Sequence, residues 1–275
     1  MLASIVSFSL IAVSAKELSA DMQTAEIIFF RCLFGLIVLS AIVLVSGAGR
    51  VKTANFKKHI LRNLTHFLGQ YGWFYGIAFI PLAEVFALEF TVPVWTAIAG
   101  ALLLKEKITG PRIVTIILGL IGVMVILRPT AEVIDPVAFV VLASAMAFGF
   151  SHTLTRSIVT RDSAFSVIFY MCLIQLPIAL VLSLNSWVMP EGTMWFWLLL
   201  AGLSAMSAHY TLSKALALAD AMVVIPMDFM RLPLIMLVGW YFYHEGLDAF
   251  LLLGAAIMLI GNYTNLRHER SRPKT

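Results

Sequence analysis

The sequence predicts an all-α membrane protein, with ten transmembrane helices forming two inverted five-helix repeats around a central cavity. Three observations predict it. First, 61% of the 275 residues are hydrophobic, only 12% are charged, and the mean hydropathy is +0.95. A soluble core could not absorb that much apolar surface. Second, apolar runs near twenty residues recur between short polar breaks, each long enough to cross about 30 Å of hydrocarbon at about 1.5 Å per residue. Third, the second half of the chain repeats the pattern of the first. Backbone facing lipid must satisfy its own hydrogen bonds, and no run shows the ten-residue alternation of a membrane barrel, so the spans are helices.

In order, the runs cover residues 2–18, 23–46, 58–80, 82–104, 108–128, 136–157, 163–184, 193–216, 219–243 and 248–266. The first ends at Lys16 and Glu17 with no small-residue cleavage site after it, which makes it a membrane helix rather than a signal peptide. With the N-terminus in the cytoplasm, Arg50, Lys52, Lys57, Lys58, Arg62, Lys105, Lys107, Arg112, Arg156, Arg161, Lys214 and the basic tail all fall inside; only Lys16 and Arg128 fall outside. The positive-inside rule therefore places both termini in the cytoplasm. The net charge of +4 is topogenic and implies no nucleic-acid partner, because the basic residues are dispersed over short loops. Residues 269–275 read as a basic anchor at the anionic leaflet. Cys32 and Cys172 lie in different spans and suggest neither a disulfide framework nor a metal site.

FTVPVWTAIAGALLLKEKIT and MRLPLIMLVGWYFYHEGLD share one grammar: a proline entering an apolar run, a small residue midway, a glutamate at the end. Glu106 precedes Gly122 by the same interval that separates Glu245 from Gly261. The two units are residues 1–131 and 132–268. Five helices is an odd number, so the second unit inserts upside down, the arrangement on which alternating access in secondary transporters is often built. The plainer reading is that duplication only enlarges the bundle.

The chain resembles the EamA branch of the drug/metabolite transporter superfamily. The resemblance is carried by AEIIFFRCLFG, by ALEFTVPVWTAIAGALLLKEKIT followed by LGLIGVMVILRP, and by ADAMVVIPMDFMRLPLIMLVGWYFYHEG followed by LLGAAIMLIGN. It implies ten helices in two inverted repeats. It also implies a cavity lined by spans 3, 4, 8 and 9 with contributions from 1 and 6, and a bacterial inner-membrane carrier of metabolites such as amino acids, S-adenosylmethionine or riboflavin.

Four ionisable groups lie well inside spans: Arg31, Glu89, Asp228 and Arg231. At roughly 2.5 to 3.5 kcal/mol each, four lipid-facing charges would cost on the order of 10 to 14 kcal/mol, comparable with a typical folding stability of about 5 to 15 kcal/mol. They must face one another or a hydrated cavity. Asp228 and Arg231, three apart, share a helical face. Two acids balance two bases, which suits a zwitterionic or amphoteric metabolite. Glu89 is the candidate ammonium partner or proton carrier, and Arg231 the candidate carboxylate contact. The alternative is that Glu89 bridges Arg31 or Arg231 and merely locks helices together.

His66, Gln70 and Trp73 follow helical spacing and share a mixed polar and aromatic face, as a small-molecule site requires. Trp73 or Tyr71 could stack on a cationic or heteroaromatic group; Trp73 equally fits an interfacial belt. His209, Tyr210 and Ser213 form a polar group in span 8, His152 another candidate in span 6, and Trp95 follows Pro93. Pro93 and Pro233 remove a backbone donor at matching places and are the candidate hinges. Gly119, Gly122, Gly254 and Gly261 read as close-packing positions.

No HExxH, acidic metal pair, phosphate-binding glycine loop or serine-nucleophile signature occurs, which argues against an enzyme, a resident metal or a cofactor. No ATP-binding motif occurs either, leaving a solute or ion gradient, with protons as the candidate coupling ion. The partners expected are a small-molecule metabolite and the bilayer. A monomer is expected, with a dimer as the alternative.

Overall fold

The computed structural model describes residues 1–105, 110–127, 135–185, 187–219, 221–228, 231–246 and 248–270. Among them there are helices and no strands. In chain order they are α1 (Leu2–Leu18), α2 (Thr24–Ser46), a 3-10 turn (Ala48–Val51), α3 (Phe56–Phe79), α4 (Leu82–Glu89) and α5 (Val92–Leu104). These are followed by α6 (Gly110–Leu127), α7 (Pro136–Ile158), α8 (Ala164–Ser183), α9 (Met194–Leu218), α10 (Ala221–Asp228), α11 (Leu232–Tyr243) and α12 (Ala249–Arg270). The ten expected spans are present, two of them divided: the fourth into α4 and α5, the ninth into α10 and α11.

Local sequence accounts for starts and interruptions. Gln23 and Glu26 form a reciprocal cap at the start of α2. The Asp135 carboxylate accepts the Val137 N–H ahead of Pro136, and the Ser163 hydroxyl accepts the Ser166 N–H. Both divided spans restart with a proline in the first turn, Pro93 in α5 and Pro233 in α11. A proline has no N–H, and its ring crowds the carbonyl four residues back, which for Pro93 is that of Glu89. The turn tightens there: Thr91 N–H bonds to the Leu88 carbonyl, three residues back. The two second halves also end alike, at Lys105 (φ 55°) and His244 (φ 52°), whose N–H groups bond to the Gly100 and Gly239 carbonyls. Residues other than glycine or asparagine seldom take this left-handed form, so its recurrence marks a shared backbone design.

The halves interleave. The first helix of each packs on the third of the other, α1 on α9 and α7 on α3, while α2 pairs with α8 and α6 with α12. That exchange is what a two-fold relation between inverted units produces. At the α6–α12 crossing a Cβ on Gly122 would sit 2.8 Å from the Gly254 carbonyl oxygen, and one on Gly254 would sit 2.6 Å from the Gly122 carbonyl oxygen. Only glycine allows that approach, as expected of a small-residue membrane interface.

Four stretches are long and apolar enough by themselves to cross a membrane: Thr24–Ser46, Leu82–Leu104, Pro136–Ile158 and Ala164–Ser183. The bundle surface carries exposed Leu44, Val45, Leu102, Leu237, Tyr241 and Phe242. Polar residues are buried in its centre, the reverse of a soluble protein.

Candidate functional site

Arg31, His66, Gln70, Glu89, His209 and Arg231, all buried, converge on a central cavity that combines aromatic walls with a few polar groups, as small-molecule sites do. Its wall is built from every early helix of the chain and the two divided spans. α1 gives Phe8 and Ile11; α2 gives Arg31; α3 gives His66, Gln70, Trp73 and Phe74; α4 gives Glu89; α7 gives Phe148 and His152; α9 gives His209; and Arg231 enters at the start of α11.

Glu89 and Arg231 meet here. Arg231 Nη2 donates to Glu89 Oε1 at 2.6 Å, and Trp73 Nε1 donates to Glu89 Oε2 at 2.8 Å. The Arg231 guanidinium carbon lies 4.8 Å from the Phe8 ring centre and 4.9 Å from that of Phe86, so the cation is held between two aromatic faces. The expected separation of four ionisable groups from lipid is met for these two by pairing. Asp228 ends α10, and its side chain lies outside the described residues.

Arg31 lies farther round the wall, although the resemblance assigned no lining role to the second span. Its Nη2 donates to Gln175 Oε1 at 3.2 Å and to Cys32 Sγ at 3.5 Å. Gln175 Nε2 lies 3.0 Å from His66 Nδ1. Since Gln175 uses its oxygen on Arg31, its NH₂ group is what faces His66, so His66 Nδ1 accepts and the proton of the neutral ring sits on Nε2. Arg31 thereby fixes the Gln175 amide, and Gln175 fixes the histidine tautomer. Gln175 was missed in the sequence; the sole available signal was a carboxamide inside a strongly apolar span, where an unpaired polar group is costly.

The remaining wall is aromatic. His66 packs edge-on to His209 at 4.7 Å and to Phe148 at 5.5 Å, and Phe148 stacks on His152 at 6.1 Å. Trp73 is buried against Phe74 and Phe86 rather than standing in an interfacial belt.

Four expected site residues lie elsewhere. Tyr210 is exposed and meets Lys214 near the surface, because as the next residue it points about 100° round α9 from His209. Ser213 is buried but one turn, about 6 Å, further along α9 than His209, outside the cavity wall. Trp95 is half-buried, donates to the Thr91 hydroxyl at 3.3 Å and packs beside Gly149. Tyr71 is exposed on the outer face of α3 and meets Phe67.

Arg62, counted in the sequence only among the charges of the cytoplasmic side, is fully buried, with Nε on the Thr155 hydroxyl at 3.1 Å and Nη1 on Asn63 Oδ1 at 2.7 Å. It belongs to a polar stripe along α3, His59, Arg62, Asn63, His66 and Gln70, all buried. Below it the His59 ring nitrogen lies 2.9 Å from Asp162, which also binds Thr53 and Asn55. Burial works to raise the Asp162 pKa; the hydrogen bonds from Thr53, His59 and Asn55 outweigh it and hold that carboxyl below its ordinary value.

A ten-span membrane bundle with a charged, ring-lined hollow between interleaved halves has the build of a solute carrier. The chain matches the description of the EamA-like transporter family over residues 1–128 and again over 136–267, and it belongs to that family. It is 30% identical to an S-adenosylmethionine uptake transporter of Rickettsia conorii, across 94% of this chain and 88% of that protein. It is 32% identical to a riboflavin transporter of Vibrio cholerae, across 76% and 71%. One crystal structure of a protein shares the fold with a TM-score of 0.74 at 16% identity, covering 98% of this chain and 96% of that one.

Proposed function

We propose that the protein is a secondary, alternating-access carrier of a small polar metabolite, zwitterionic or cationic, of the amino-acid or S-adenosylmethionine type. It acts in the inner membrane with both termini in the cytoplasm and performs no chemistry on its solute. One observation carries this reading: the Glu89–Arg231 pair joins the two divided spans inside the cavity. Breaking a buried pair from one side leaves an uncompensated charge, at a cost of about 3 to 5 kcal/mol. A zwitterion avoids that cost by bringing an ammonium for Glu89 and a carboxylate for Arg231 at the same moment. Its binding therefore releases α11 from α4 without stranding either charge. Arg31 offers the lining a further cationic contact, supported by Gln175 and not by a carboxylate in its described bonds. The relative from Rickettsia conorii supports the S-adenosylmethionine type.

A heteroaromatic solute of the riboflavin type is the second reading. It is favoured by the ring-lined wall and by the relative from Vibrio cholerae.

The test is flux into vesicles reconstituted with the purified protein, using labelled S-adenosylmethionine, methionine and riboflavin, with the solute recovered and its mass checked. Exchange across the membrane of an unaltered zwitterion, abolished by Glu89→Gln, is the expected result. Conversion of the solute without crossing would replace the carrier with an enzyme. Glu89→Gln transport that is normal at every pH would remove Glu89 from both substrate and proton handling.

A further inference from the structure

One residue of the cavity has polar atoms that find no partner among the described residues. Gln70 is buried, lines the cavity, and neither its Oε1 nor its Nε2 has a partner. Buried carboxamides are normally bonded, since leaving such a group unmade costs the full desolvation of its donor or acceptor. Two further unused atoms are Arg31 Nε and His66 Nε2. Both side chains are bonded to Gln175, and both atoms are N–H donors, His66 Nε2 by the tautomer argument above and Arg31 Nε because a guanidinium offers only donors. His66 stands one helical turn from Gln70 on α3, with Trp73 three residues beyond it. The wall thus presents an acceptor and donor on one flat amide, two extra donors, and ring faces from Phe148, Trp73 and His209.

We propose that Gln70, with His66 and Arg31, forms a recognition edge for a planar nitrogen heterocycle that carries a hydrogen-bond donor beside ring acceptors. An aminopurine has that pattern; a bare amino acid does not. A carboxamide pairs in bidentate fashion with the amine and neighbouring ring nitrogen of adenine. The imidazole and guanidinium N–H groups then meet other ring or carbonyl acceptors, while the flat face rests on aromatic side chains. This inference rests on the carrier reading and extends it. The Glu89–Arg231 pair takes the charged end of the solute, and the α3 wall reads its ring.

The test is equilibrium binding to the purified full chain in lipid nanodiscs, using adenosine, purine riboside without the exocyclic amine, and L-methionine. For the natural sequence adenosine should bind roughly five- to a hundredfold more tightly than purine riboside. Gln70→Met, apolar and of similar size, should bring that ratio to about one, leave L-methionine affinity unchanged, and keep or raise the thermal midpoint of the ligand-free protein, since an unbonded buried amide is removed. A ratio near one in the natural sequence overturns the proposal, as does a ratio that survives in Gln70→Met. A fall in thermal midpoint in the variant also overturns it, because the amide would then be structural. If purine discrimination follows this pattern while L-methionine binds neither protein, the ring edge stands and the zwitterion reading fails.

Discussion

The span formed by α4 and α5 and the span formed by α10 and α11 share one backbone plan and differ in almost everything attached to it. Each divides ahead of a proline, and each ends in a left-handed residue bonded to a glycine carbonyl. Both first halves end in an acid, Glu89 in α4 and Asp228 in α10, but a base, Arg231, stands at the head of α11 alone, where α5 follows Thr91. Their surroundings differ as well. α5 is buried along most of its length and lies against α7, where a Cβ on Gly149 would come within 2.8 Å of the Thr96 backbone nitrogen. α11 buries Leu232, Ile235, Met236 and Gly239 and turns Leu237, Trp240, Tyr241 and Phe242 outward. Duplication supplied two equivalent interruptions; divergence made one a clamped arm and the other a looser arm headed by a base. An element with few buried contacts is the one that opens at low cost, which assigns the larger movement to α11.

The strongest way to break this comparison is to remove one charge. Arg231→Met strands the Glu89 carboxylate and should lower stability by about 3 to 5 kcal/mol, read as a fall in thermal midpoint in nanodiscs, with transport lost. Combining it with Glu89→Gln should recover most of the stability, because neither partner is then an unpaired ion, while transport stays lost. If the double variant is no more stable than the single one, the pair does not couple the arms and the comparison fails.

How much of this could be read from the chain is decided by depth and partner, not by helix identity. The spans were legible because lipid permits little besides helices, and the two prolines were legible as matching sites. The division of each span was not. A missing N–H shows in the sequence, whereas whether the helix resumes depends on what packs around it. The need for a partner at Glu89 followed from the cost of burying it. The choice of Arg231 over Arg31 was set by the crossing of α4 and α11, which no local pattern records. Arg62 was counted only as a topogenic charge, because positive residues near a span end usually are, and its burial was not read. The stripe of His59, Arg62, Asn63, His66 and Gln70 on one face of α3 was the overlooked clue. His209 and Ser213 do share a face, but spacing says nothing of depth, and only His209 reaches the cavity.

A smaller effect sharpens the difference in clamping. Gly149→Ala puts a methyl against Trp95 and the Thr96 backbone, neither of which can retreat without moving α5, and overpacking of this kind costs about 1 to 3 kcal/mol. In Gly239→Ala the new atom meets Glu245 Oε2 at 2.5 Å, the far end of a flexible side chain. That substitution should cost less than about 1 kcal/mol. Paired thermal midpoints check the ordering, and hydrogen exchange should rise along α5 only for Gly149→Ala. Equal losses would mean that both arms are held alike.

The least effect is expected where one arm touches the start of the other. Glu245 follows α11, and its Oε1 accepts the Leu82 N–H at the first residue of α4 at 3.0 Å, with Lys16 Nζ 3.7 Å away. Next to it Tyr243 donates to Glu17 at 2.8 Å. A carboxylate at a helix N-terminus satisfies an open donor and meets the positive end of the helix dipole, worth about 0.3 to 1 kcal/mol. Glu245→Gln keeps the hydrogen bond and removes the charge, so it should lower stability by only about 0.5 kcal/mol. Its effect on rate should be plainer. If α11 swings away from α4 during each cycle, Glu245 must release Leu82 and Lys16 at that end of the bundle, and weakening the contact should speed exchange about twofold, measured as solute counterflow. An unchanged or slower rate would place the moving contact elsewhere and remove α11 as the mobile arm.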